Sequence, residues 1–213
     1  MFFPGLVRKS EEHYYSQRGG FYASYAENYN NIENDCKHRC VYCDITRMEN
    51  GGDPLSLDHF RPKKVFATKF TITAIHPYNL HLSCQKCNVL KSSDWHGCRN
   101  TIDGSTYSNN AGYIDRFVED IHEYMTVNKG VLVPLKNPAQ YMIKKMLLNR
   151  PNRVYYRYLR QLQQTKQDIN VRLSELMVLT SEEMRGGLIS FEEASKRMEI
   201  FSLAQSTLTE IKI

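Results

Sequence analysis

The sequence predicts an α+β fold: a small strand–loop–strand–helix core held between cysteine pairs, with an N-terminal helical segment before it and a C-terminal helical extension after it. Three observations predict this. Cys40-Val41-Tyr42-Cys43 and Cys84-Gln85-Lys86-Cys87 are two C-x-x-C pairs with a long insert between them. Within the insert, residues 56–60 alternate in polarity as a short strand that Pro62 ends. From Pro138 onward, apolar residues recur at the period of a helix. The expected division is a helical segment over residues 1–35, the cysteine-clasped domain over 36–135 and a helical region over 136–213.

Taken in order, Phe2-Phe3-Pro4 is an apolar start expected to pack on the core. Tyr14, Tyr15, Phe21, Tyr22, Tyr25 and Tyr29 follow at a spacing compatible with helix, interrupted by Gly19-Gly20. Asn50-Gly51-Gly52-Asp53-Pro54 is a strong turn signal before the first strand. Residues 63–77 connect the two strands, anchored by Phe66, Phe70, Ile72 and Ile75. After Asn79, the recurrence of Leu80, Leu82, Cys84, Cys87 and Leu90 predicts a short helix near the second cysteine pair. Residues 100–110 are polar and turn-rich. Tyr113-Ile114-Asp115 is expected as a strand, and the segments flanking Asn128-Lys129-Gly130 as a hairpin. Two helices are expected from Pro138, the second starting near Asn152, with Ser181 and Ser190 as N-cap candidates for the last pieces.

Four cysteines in two C-x-x-C turns suit one tetrahedral zinc, because each turn presents both sulfurs to a single point about 2.3 Å away. A disulfide pair, a redox C-x-x-C and unrelated buried thiols are the competing readings. No secretory leader precedes the cysteines, which sets the expectation of a reducing cytosol, where this spacing favours metal. Cys40, Cys43, Cys84 and Cys87 are therefore the expected ligands of a structural Zn²⁺. Cys36, His38, His96 and Cys98 keep the paired spacing less well.

The formal charge of +5 is a modest bias towards polyanions. Its distribution is sharper: residues 36–99 carry ten Lys and Arg against five Asp and Glu, the footprint a nucleic-acid backbone would meet. No apolar run approaches a membrane span, and a cytoplasmic location is expected.

The order Cys-x-x-Cys, Asp58-His59-Phe60-Arg61-Pro62-Lys63, Asn79-Leu80, Cys-x-x-Cys-Asn88-x-x-Lys91 resembles the HNH endonucleases, the ββα-metal or His-Me finger enzymes. The string at 58–63, with Leu148-Asn149-Arg150-Pro151 downstream, is similar to the HNH subunits of Septu-type and retron-associated anti-phage systems, which work beside an ATPase. The resemblance implies that His59 is a general base, a role its ordinary pKa near neutrality suits. It implies that Asp58 and Asn88 hold a catalytic Mg²⁺ or Mn²⁺, since both offer hard oxygen ligands. Asn79 would orient the His59 ring or tie the connecting loop together. Arg61, Lys63, Lys64 and Lys91 would contact the phosphate backbone of DNA or RNA. Many relatives carry His where this chain has Asn88, and an Asn there keeps the ligand set while disfavouring zinc catalysis.

Each residue also has a plain reading. An isolated Asp-His pair is usually a surface pair or a cap, and Asn79 and Asn88 taken singly are turn or cap residues. The joint order carries the weight. A zinc-stabilised nucleic-acid-binding or regulatory subunit with an inactive HNH site is the alternative. The chain has no G-x-x-x-x-G-K-[ST] phosphate loop, so any ATP dependence must come from a partner.

Overall fold

In the computed structural model, which describes residues 2–211, the tyrosine-rich N-terminal stretch is not the helix its spacing suggests. It forms two single 3₁₀ turns and one short helix, α1 (Tyr29–Asp35). Gly19 and Gly20 both have positive φ, +78° and +72°, which reverses the chain and lets Tyr15 bridge back to Phe21. The stretch still packs inward as expected: Phe3, Leu6, Tyr14 and Ile32 all join the main core.

Strand β1 (Ser56–His59) pairs antiparallel with β2 (Leu80–Ser83), so that Leu57 faces Leu82 and Asp58 faces His81. Between them lie α2 (Lys63–Phe66) and two 3₁₀ turns. Helix α3 (Gln85–Lys91) follows β2 directly. The first cysteine pair sits on a tight turn in which the Asp44 N–H donates to Cys40 O at 2.9 Å, and the Val41 N–H donates to Leu82 O at 2.9 Å. That last bond ties the turn to β2. Trp95 is buried edge-on against Phe60 and Phe66, with centroids 5.6 and 5.4 Å apart.

Residues 113–115, expected as a strand, lie just beyond the two-residue ladder of β3 (Tyr107–Ser108) and β4 (Ala111–Gly112). The expected hairpin is present as β5 (Met125–Asn128) and β6 (Val131–Pro134). Its turn residues Lys129 and Gly130 both have positive φ, 46° and 78°, the two-residue turn whose twist matches the strands. Helix α4 (Ala139–Lys145) leads to Asn149, whose side-chain amide pairs with the Leu132 backbone, accepting at 2.8 Å and donating at 2.9 Å.

Helix α5 (Pro151–Arg185) starts on proline, whose missing N–H is an unpaired position in any helix. Helix α6 (Phe191–Glu210) starts on Ser190, whose hydroxyl accepts from the Glu193 N–H at 3.1 Å. Ser181 is no cap: it lies inside α5 and donates to Met177 O at 2.9 Å. The chain divides into two compact units, Met1–Arg157 and Tyr158–Ile213. The division falls within α5, so residues 136–157 belong to the first unit. In the second, α5 ends at Arg185, and the positive φ of Gly187 just beyond it lets the Leu188 N–H return to Glu183 O at 2.9 Å. Among the described residues no helix is long and apolar enough to cross a membrane.

Candidate metal centre and active site

Cys40, Cys43, Cys84 and Cys87 meet as the sequence predicts. All four are buried and their sulfurs lie within 4.8 Å of one another, with Cys43 Sγ and Cys84 Sγ 3.8 Å apart. A tetrahedral zinc with bonds of about 2.3 Å needs sulfur–sulfur edges of about 3.8 Å. The donor set fits a metal such as zinc. Hydrogen bonding from Cys40, Cys43 and Cys87 holds the Cys84 thiol far below its ordinary pKa, while burial pushes Cys40 well above. Burial opposes ionising all four thiols together, and a bound dication would let every sulfur become a thiolate. Among the described residues this is the one such cluster of Cys, His, Asp and Glu. Cys36 stands outside it, its sulfur accepting the Leu82 N–H at 3.3 Å.

Two arginines complete this centre: Arg150, met in the sequence only as part of the 148–151 string, and Arg153, which the sequence reading did not single out. Arg150 Nη2 lies 3.8 Å from Cys84 Sγ and 3.6 Å from Cys87 Sγ, and Arg153 Nη2 lies 3.5 Å from Cys84 Sγ. Arg157, fully buried, binds the Cys43 carbonyl at 3.3 Å and Gly130 O at 2.7 Å. Positions 150, 153 and 157 recur at helix spacing, so Arg150, the residue before α5, and the first two turns of the helix present one cationic stripe to the cysteine turns. That spacing was the available signal.

His59 ends β1, half-buried, with its ring against Tyr25 at 4.7 Å between centroids. Its Nε2 lies 2.9 Å from Ala74 O. A carbonyl only accepts, so Nε2 carries the proton and Nδ1 holds the lone pair. Burial pulls the His59 pKa below its ordinary value against the opposing pull of Ala74 O, which keeps the ring neutral at pH 7.

Asn79 closes the loop around this histidine. Its Oδ1 accepts the Arg61 N–H at 2.8 Å, and its Nδ2 donates to Arg61 O at 3.1 Å and Thr73 O at 2.8 Å. Of its two anticipated roles, tying the loop is the one its contacts perform. Thr73 precedes Ala74, so Asn79 fixes the carbonyl that fixes His59.

Asp58 lies in a different environment from the one its expected role requires. It is 5% exposed, and its Oδ2 accepts from Tyr42 Oη at 2.5 Å and from Lys91 Nζ at 2.9 Å. Lys91 is fully buried and also donates to His59 O at 2.9 Å. Burial, with Asp58 adding, pushes the Tyr42 pKa well above its ordinary value, so Tyr42 remains a donor. Asn88, on α3, donates to Ser56 Oγ at 3.5 Å, which places it beside the strand face that also carries Asp58. The Asp58–Asn88 pair has one carboxylate, already neutralised by an ammonium. As arranged, it does not fit a dication.

The four expected backbone contacts separate into two pairs. Lys63 and Lys64 are exposed on α2. Arg61 is buried, donating Nη2 to Gly104 O at 2.7 Å and lying 5.0 Å from the Trp95 ring centroid, and Lys91 is inside. Neither buried cation is on the surface a polyanion meets. No family model, curated protein or solved structure matches this chain.

Proposed function

We propose that the chain is an HNH-type endonuclease that hydrolyses phosphodiester bonds of DNA or RNA, with His59 as general base. The observation that carries this reading is the His59 ring. Its Nε2–H is anchored on Ala74 O, and its neutral Nδ1 is left to take a proton from an attacking water. Asn79 holds the loop that supplies the anchor, and exposed Lys63 and Lys64 follow four and five residues after His59 ends the short strand. The first cysteine turn is tied to β2, the partner of the His59 strand, by the Val41 N–H to Leu82 O bond. The further reading, an effector of a bacterial anti-phage system acting with an ATPase, rests on the likeness of residues 58–63 and 148–151. Recovery of an ATPase with the tagged protein from its host is the result that reading requires.

The same reading includes a Mg²⁺ or Mn²⁺ at Asp58 and Asn88. The Lys91–Asp58 pair stands against it and favours the second reading, a zinc-stabilised nucleic-acid-binding or regulatory subunit. One experiment separates them. Purified wild-type and His59→Ala protein are incubated with plasmid DNA and total RNA, with Mg²⁺, Mn²⁺ or EDTA. The nuclease reading expects cutting that drops roughly 10²–10⁴-fold in the variant. Retained binding without cutting by either protein supports the second reading. Cutting that survives in the variant removes His59 from the base role.

A further inference from the structure

The loop that anchors His59 also forms one wall of a cavity of about 740 Å³, to which it contributes Ile72, Thr73, His76 and Asn79. That volume is in the range of small-molecule sites. Phe60, Phe117 and Tyr107 add flat apolar walls. Arg8, Glu11, Asp103 and Glu119 lie on the cavity wall, and so do Arg61 and Asp115, two charged groups that keep hydrogen-bonding capacity. Arg61, 8% exposed, gives Nη2 to Gly104 O, while its Nη1 is buried without a partner. Asp115 accepts the Phe117 N–H on Oδ1 at 3.0 Å, with His81 Nε2 3.5 Å from the same oxygen. Its Oδ2 takes no hydrogen bond among the described residues. Burial, opposed by the Phe117 N–H and by Arg8 and Arg61, raises the Asp115 pKa. Arg61 and Asp115 do not form an ion pair with each other, and both line the same space.

A ligand for this space must present acceptors to Arg61 on one side and donors to Asp115 on another, on a flat body. The four nucleobases differ in this respect. Guanine groups its acceptors, O6 and N7, apart from its donors, N1–H and the 2-amino group. Adenine alternates donor and acceptor along its edge, and cytosine and uracil are smaller and carry no such separated pairs. We propose that this cavity binds a guanine base, with Arg61 Nη1 donating to its O6/N7 edge and Asp115 Oδ2 accepting from its N1–H/2-amino edge. On the nuclease reading, which this deepens, the guanine belongs to a nucleotide turned out of the substrate strand, as enzymes that read single bases require. Thr106, whose hydroxyl is also buried without a partner, lines the same cavity.

The test is calorimetric titration of zinc-loaded wild-type protein with GMP, AMP, CMP and UMP, which needs no cleavage. GMP is expected to bind at least about tenfold more tightly than the other three. Asp115→Asn, which keeps the Oδ1 contact to Phe117, is expected to weaken GMP about tenfold at unchanged zinc content and melting temperature. Inosine monophosphate, lacking the 2-amino donor, reads the same contact from the ligand side if that variant fails to fold, and is expected to bind less tightly than GMP. Absence of GMP binding by folded wild type, or equal binding of all four nucleotides, overturns the proposal. GMP binding in a protein that cuts nothing would leave the pocket standing and remove the nuclease reading; cutting without GMP binding would do the reverse.

Discussion

Lys91 shows how one residue changes its meaning on burial. An ammonium at 0% exposure is tolerable because Asp58 Oδ2 and His59 O accept its hydrogen bonds. Removing one partner of such a pair leaves the other charge uncompensated, at a cost of about 3–5 kcal/mol. Lys91→Met is therefore expected to lower the urea unfolding free energy by about that amount, and Asp58→Asn added to it to restore more than half. His81 offers a test through pH. It is fully buried, stacked on Phe60 at 4.5 Å, and burial first, then the cations Arg8, Lys91 and Arg116, hold its pKa well below the ordinary value. In the unfolded chain it binds a proton near pH 6.5, and in the folded chain it does not. The unfolded state therefore holds more protons below about pH 6.5, and stability falls as pH falls from there, by up to about 1.4 kcal/mol per pH unit. Chemical denaturation of wild type and His81→Leu between pH 7 and 5.5 is expected to show a shallower slope in the variant.

Among the elements, the start of α5 has the clearest energetic role. Four thiolates on one zinc carry a net charge of −2, and Arg150 and Arg153 bring two guanidiniums to within 3.5–3.8 Å of the sulfurs. Such outer partners orient ligands and typically change metal affinity by 10–100-fold. Arg150→Gln with Arg153→Gln is expected to weaken zinc binding by about that factor in a chelator competition, with helix content unchanged by circular dichroism. The β5–β6 turn makes a smaller contribution. Gly130 at φ 78° is a position where a side chain costs about 1 kcal/mol, so Gly130→Ala is expected to lower the melting temperature by a few degrees.

For the unit Met1–Arg157, the cysteine centre is the principal long-range staple. Cys43 and Cys84 are 41 residues apart in sequence, and the strand carrying Asp58 and His59, with the turn carrying Asn79, lies in the loop they close. Metal binding to such a site is folding free energy. Stripping zinc with a strong chelator is expected to abolish the cooperative thermal transition of the wild type, and zinc at a thousandfold over its Kd to return about 4 kcal/mol. Cys84→Ser is expected to behave as the stripped protein does, whatever zinc is added.

Much of this architecture was legible in local chemistry. Paired cysteines announce a shared point because two residues between sulfurs is a turn, and alternation before Pro62 announces the first strand, while the 57/82 register came only with the packed fold. Lys129-Gly130, Pro151 and Ser190 declare a turn and two helix starts, because each satisfies a backbone requirement within four residues of itself. The tyrosine spacing of the N-terminal stretch misled for the complementary reason: periodicity cannot outweigh two adjacent glycines that take left-handed φ. The site was harder to read. His59 and Asn79 were nominated by order along the chain, but the Ala74 anchor, the Tyr42–Asp58–Lys91 network and the burial of Arg61 had no such cue. These depend on which groups come within about 4 Å after distant segments pack. Composition places a charge in the chain; desolvation, which is a property of the packed whole, determines whether that charge faces a polyanion or neutralises a buried neighbour.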